Sequence, residues 1–198
     1  LLADFLKNYP DVRIELDLSD RLSALATEGF DLAIRHTARP PDTHVAWALC
    51  ATESVLVATR TYLRRQGEPK TPADLQSHNC LHYPRSQDTP AWTFEPRRPQ
   101  GGERVTVPVS GNLAANNSEA LREAALTGAG IALMPDFSAQ AALRQGKLVQ
   151  VLPGWKPVGA FAETVYAIRP YTPHVPRAVT ALVAHLREGL AGGFGVEA

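Results

Sequence analysis

Apolar and polar residues alternate strictly from Val12 to Leu18 (VRIELDL), a period of two that predicts a strand with one buried face. Before it, Ala3, Phe5 and Leu6 recur at helical spacing and predict a short helix that ends before Pro10. After it, Ser19 or Asp20 is placed to cap a helix whose stripe is Leu22, Leu25 and Ala26 and which Gly29 closes, and Phe30 to Ile34 forms the next strand. Helix, strand, helix, strand in this rhythm predicts a parallel sheet with right-handed crossovers. Ser19, Arg35 and His36 then stand at strand carboxyl ends facing one crevice.

Further along, Val45–Leu49 and Ser54–Ala58 read as strands, and Thr61 starts a short helix. Thr71 and Pro72 open another helical turn, Cys80–Tyr83 is a short strand, and Trp92 and Phe94 alternate in a strand followed by a surface turn from Pro96 to Arg104. The pattern is densest from Val109 to Phe137. Asn116, Asn117 and Ser118 offer cap oxygens, a helix begins near Ser118 with Ala120, Leu121, Ala124 and Ala125 along it, and Gly128 and Gly130 stop it. Ile131–Met134 is an apolar run too short for a helix and suits a buried strand, with Pro135 and Asp136 as a turn. A helix over Ser138–Gln145, a strand over Leu148–Leu152, a turn at Pro153–Trp155 and a strand over Thr164–Ile168 follow. The last helix starts near Pro176 with Val179, Leu182, Val183 and Leu186 as its stripe, and the tail from Gly189 frays.

Free N–H groups in a first helical turn attract carboxylate or phosphate, so the start at Asn117–Ser118 is a candidate binding point. The same three residues are also ordinary helix caps, and local chemistry leaves both readings open.

Composition narrows the function. Twenty basic residues balance twenty acidic ones in 198, which is no footprint of a nucleic-acid-binding surface. No run is long and apolar enough for a membrane span, and Leu1–Leu6 is broken by Asp4 and followed by Lys7, unlike a signal peptide, so a cytoplasmic protein is expected. Cys50 and Cys80 sit among apolar neighbours without metal-ligand spacing and read as buried thiols. The six histidines are dispersed, and no nucleophile with its base, paired carboxylates or phosphate-binding glycine loop is present. No catalytic residue, metal ligand or cofactor is assigned.

Three stretches carry a resemblance to the effector-binding domain of LysR-type transcriptional regulators: Phe5–His36 (FLKNYPDVRIELDLSDRLSALATEGFDLAIRH), Val55–Tyr83, and Ala115–Phe137 with ANNSEALREAAL and GIALMPDF. The resemblance implies an α/β fold of two Rossmann-like lobes joined by a double hinge, periplasmic-binding-protein-like of type 2. Residues 1–53 with 163–198 would form the first lobe and 54–162 the second, with Ser54–Ala58 and Thr164–Ile168 at the hinge. It also implies that a strand precedes the first helix in the family and is absent here, and that thiol-switched members give Cys50 and Cys80 a second reading as a redox pair.

On this reading a small effector binds between the lobes. The candidate contacts are Ser19, Asp20, Arg35 and His36 from the first lobe, and Tyr83, Asn116, Asn117, Ser118, Pro135, Asp136 and Phe137 from the second. Arg35 suits an anionic effector, or equally a salt bridge across the lobes. Promoter DNA would be contacted only through an attached winged helix-turn-helix region. Homodimers would form through Leu2–Asn8 and Ser118–Thr127, with a tetramer for the full-length regulator. The alternative is the solute-binding protein of a transporter, which shares the fold and requires a secretion signal.

Overall fold

The computed structural model describes residues 1–18, 29–84, 90–97 and 103–195. The chain divides into two compact units, Leu1–Ala51 with Ala162–Gly193, and Thr52–Phe161 with Phe194–Ala198. Each contains both helices and strands.

In the first unit α1 (Leu2–Asn8) turns its one fully buried side chain, Phe5, onto Tyr9 and onto His185 of α5 (Arg177–Gly189), with ring centroids 4.6 and 5.5 Å apart. The apolar stripe of α5 is legible in its buried Val179, Val183 and Leu186. The sheet has the order β1 (Ala33–His36), β10 (Thr164–Pro170), β2 (His44–Ala51). Both ladders are antiparallel, so the parallel sheet expected from the helix–strand rhythm is corrected for the described residues. The cause is non-local: β10 arrives from more than a hundred residues away and inserts between two strands that are neighbours in sequence. A second correction concerns Val12–Leu18, which joins no ladder among the described residues, with Leu16 and Leu18 exposed. Alternation puts apolar side chains on one face but cannot supply the hydrogen-bonding neighbour that makes a strand. The helix expected over residues 19–28 lies outside the described residues.

The second unit is built on a sheet of order β4 (Cys80–Leu81), β7 (Ile131–Pro135), β3 (Ser54–Ala58), β8 (Val149–Gln150). β4 runs parallel to β7, and β3 antiparallel to it. β3 and β7 are buried along their whole length, which is why they read as unbroken apolar runs. Their alternate residues feed two cores. Leu56, Ala58, Ile131 and Leu133 face Tyr62, Leu63, Leu75, Trp92 and Phe94, while Val55, Val57, Ala132 and Met134 face Leu121, Ala125, Ala139 and Ala142.

The first core is closed by α2 (Arg60–Gln66), a 3-10 helix at Pro72–Ser77 whose Thr71–Asp74 capping box fixes its start, and a small sheet of β6 (Val105–Pro108), β5 (Ala91–Pro96) and β9 (Trp155–Val158). The second is closed by α3 (Ser118–Leu126) and α4 (Asp136–Arg144). Trp155 opens a strand rather than ending a turn, because Glu95 and Pro96 of β5 give it and Lys156 register partners. Pro135 and Asp136 do not end β7 in a turn either, since the strand passes directly into α4 at that point.

Candidate functional site

Seven of the sequence-predicted residues gather at one end of the second unit's sheet. β4 and β7 are parallel, so their carboxyl ends lie together, and antiparallel β3 brings Ser54 to the same end opposite Pro135. Beyond Leu81 the chain continues into His82, whose N–H donates to the Leu113 carbonyl (3.3 Å) and whose own carbonyl accepts from Ala115 N–H (3.1 Å). That pairing sets Tyr83 beside the segment leading to Asn116, Asn117 and Ser118.

Asn117 is the N-cap of α3. Its backbone is extended, and its side-chain oxygen accepts from Ala120 N–H at 3.0 Å, which satisfies one of the orphan donors of the first turn. Ser118 Oγ lies 2.8 Å from Ser138 Oγ, so the first turns of α3 and α4 are joined hydroxyl to hydroxyl. Two helix N-termini thus open at the carboxyl ends of adjacent parallel strands; Ala120, Asp136 and Phe137 N–H are already engaged, and the remaining first-turn N–H groups and the dipoles favour an anion. Arg122, one turn into α3, pairs with Glu119 at 2.5 Å and Glu123 at 3.0 Å and reaches the Ser138 carbonyl at 3.4 Å. Tyr83 meets Phe161 edge to face with centroids 5.7 Å apart, and Phe137 meets Phe194 at 5.5 Å, which gives this end an aromatic component.

Asp136 is 6 % exposed, and both carboxylate oxygens are engaged by the backbone. Glu53 N–H donates to Oδ2 at 2.9 Å and Phe137 N–H to Oδ1 at 2.8 Å, while Asp136 N–H returns a 2.8 Å bond to the Glu53 carbonyl. Burial pushes its carboxyl above the usual value, and the two backbone donors pull it back. Its evident work is to fix the start of α4 against the entry to β3. Pro135, buried, closes β7 and stands as the N-cap of α4 without a capping side chain.

Arg35 and His36 belong to the first unit, at the carboxyl end of β1, in register with Tyr166 and Val165 of β10. His36 Nε2 lies 2.6 Å from the Ala162 carbonyl. Ser19 and Asp20 lie outside the described residues. Sequence reasoning missed Ser138 and Glu53. Ser138, placed inside the predicted helix, is the third residue of α4, where a serine near the apolar start was a readable signal; Glu53 carries none, since its role is made by backbone contact across the sheet. Among the described residues no group of His, Cys, Asp and Glu could hold a metal ion. Cys80 is fully buried, and desolvation pushes its thiol up to about 12, far from the reactive range.

Residues 1–191 match the family described as "LysR substrate binding domain". Among curated proteins, the chain is 35% identical over 190 residues to the HTH-type transcriptional regulator PtxR of Pseudomonas aeruginosa, covering 95% of this chain and 58% of that protein. It is 31% identical over 188 residues to the probable HTH-type transcriptional regulator LtrA of Klebsiella pneumoniae, covering 95% and 60%. The chain therefore spans about three fifths of the length of these relatives. Among solved structures, the full-length Vibrio cholerae virulence activator AphB superposes with a TM-score of 0.77 at 26% identity, covering 95% of this chain and 61% of that one. The regulatory domain of Vibrio vulnificus AphB superposes with a TM-score of 0.73 at 26% identity, covering 95% and 89%.

Proposed function

We propose, from the premise that this chain belongs to the LysR family of transcriptional regulators as a substrate-binding domain, that it senses a small carboxylate effector and relays its presence to DNA. Its curated relatives are transcriptional regulators rather than enzymes, and its architecture is the periplasmic-binding-protein-like type 2 fold of LysR regulatory domains. No helix among the described residues is long and apolar enough to cross a membrane.

The observation that carries the ligand class is the meeting of two helix N-termini, α3 and α4, at the carboxyl ends of parallel β4 and β7, with Ser118 and Ser138 joining them. In our reading the two units act as lobes and the effector lies between them. Asn116, Asn117, Ser118 and the first turn of α4 receive its carboxylate, and Tyr83 and Phe137 contact its apolar part. Pro135 and Asp136 hold the α4 start in place. Arg35 and His36, with Ser19 and Asp20, contribute from the other lobe. Binding favours one arrangement of lobes or subunits over another, which is what couples the effector to an attached winged helix-turn-helix in the cytoplasm. We further propose homodimers through α1 and α3, assembled into tetramers in the full-length regulator.

The test is a calorimetric and thermal-shift screen of small mono- and dicarboxylates against this chain, repeated on Ser118→Ala and Arg35→Ala. Each substitution should weaken a hit by about tenfold, the worth of one good hydrogen bond or charge contact, with a smaller effect on the melting temperature. Loss of stability in proportion to loss of binding would return both residues to structural roles.

A further inference from the structure

Among the described residues, a buried cation without a counter-ion stands at one end of the first unit's sheet. Arg169, near the end of β10, is 9 % exposed and forms no ion pair among the described residues. Both of its hydrogen bonds leave from Nη1, at 2.8 Å to the Pro170 carbonyl and 3.3 Å to Thr172 Oγ1, and its Nε has no partner. Its Cζ lies 5.8 Å from the centroid of the Trp47 ring.

A guanidinium keeps its charge at every pH a protein survives, and taking one out of water costs more than the face of a single indole returns. Two neutral oxygens on one nitrogen do not supply the missing negative charge. The edge of the fork that makes no hydrogen bond, Nε with Nη2, is the edge that receives a carboxylate through two parallel hydrogen bonds. The other buried side-chain nitrogen without a partner among the described residues, His44 Nε2, belongs to the residue in register with Pro170. Both orphaned nitrogens therefore lie at the same end of the β2–β10 ladder. Arg35 and His36 pair with Tyr166 and Val165, at the opposite end of β10.

We propose that Arg169 anchors a second anion site, for a carboxylate carried by a small molecule, distinct from the effector site. The Pro170 carbonyl and Thr172 fix the fork, and Trp47 backs it. An Asp or Glu of a second copy would offer the same chemistry, and the experiment separates the two sources.

Thermal unfolding of this chain is followed at constant ionic strength while chloride is replaced by acetate, with inorganic phosphate as the second probe, for wild type, Arg169→Met and Arg169→Lys. Without acetate, Arg169→Met melts at or above wild type, because an uncompensated buried charge has been removed. Acetate raises the wild-type melting temperature saturably, by roughly 5–10 °C at a hundred times Kd, does nothing to Arg169→Met and acts more weakly on Arg169→Lys. The proposal is overturned if Arg169→Met fails to fold or melts clearly below wild type without acetate, or if all three chains respond alike. A response to phosphate but not to acetate overturns the ligand class. A wild-type melting temperature that climbs with protein concentration in acetate-free buffer overturns the small-molecule source in favour of a second copy.

Discussion

Asp136 shows how one side chain can occupy a candidate site and spend its chemistry on the scaffold. Its carboxylate accepts from two backbone N–H groups while 6 % exposed, so Asp136→Ala strands two donors and should cost about 2–4 kcal/mol in urea unfolding, with Asp136→Asn costing less. Its pKa is raised in the folded state, so its contribution to stability is fully present below the unfolded value of 3.8 and is lost as pH rises through the folded value. The stability difference between wild type and Asp136→Asn should therefore shrink from acid toward neutral pH, and a difference that grows would contradict the assignment. His78 runs the other way. It is buried beside Tyr62, whose hydroxyl lies 3.2 Å from Nδ1 and accepts from Asn79 N–H at 3.0 Å. Burial lowers its pKa below 6.5, with Asp74 opposing. The neutral form is the folded one, so stability is present above 6.5 and falls as pH drops below it. His78→Gln should flatten that part of the pH–stability curve, and an unchanged slope would show that other groups set it.

α3 could be read almost to the residue, because its determinants are local: the Asn117 cap, Glu119 in the first turn, and Leu121 and Ala125 buried on one stripe. Leu121→Ala should cost about 2–5 kcal/mol and Asn117→Ala about 1 kcal/mol, measured by denaturant unfolding; the reverse order would mean that the cap, not the core, holds the helix. What could not be read depends on distant partners. Val12–Leu18 has the pattern of a strand and no ladder, β9 has a turn-like sequence and a ladder from β5, and β10 reverses the expected sheet direction by inserting between β1 and β2. Two glycines carry information of the same kind. A Cβ at Gly111 would run into the Cys80 carbonyl oxygen and one at Gly130 into that of Asn79, so both sides of β4 need a bare backbone. Alanine at either position should cost about 1–3 kcal/mol through forced backbone shifts, although Gly130 reads in the sequence as a mere helix stop.

At the scale of the molecule, zero net charge and membership of the LysR substrate-binding-domain family both support the proposal that this chain reads a chemical signal and leaves DNA to an attached region. A mobility-shift titration with promoter fragments should show no sequence-specific binding by this chain alone. The candidate site was legible from Asn116 to Ser118 and at Pro135 to Phe137 because caps and strand ends announce themselves locally; Ser138 and Glu53 enter only when two helix starts and a strand entry are brought together. The most direct test is an amide chemical-shift map of this chain with a carboxylate hit from the screen. We expect the largest changes at Tyr83, Asn116–Ser118 and Pro135's neighbours Asp136, Phe137 and Ser138. Saturable binding with shifts clustered elsewhere, and none at the starts of α3 and α4, would contradict the account.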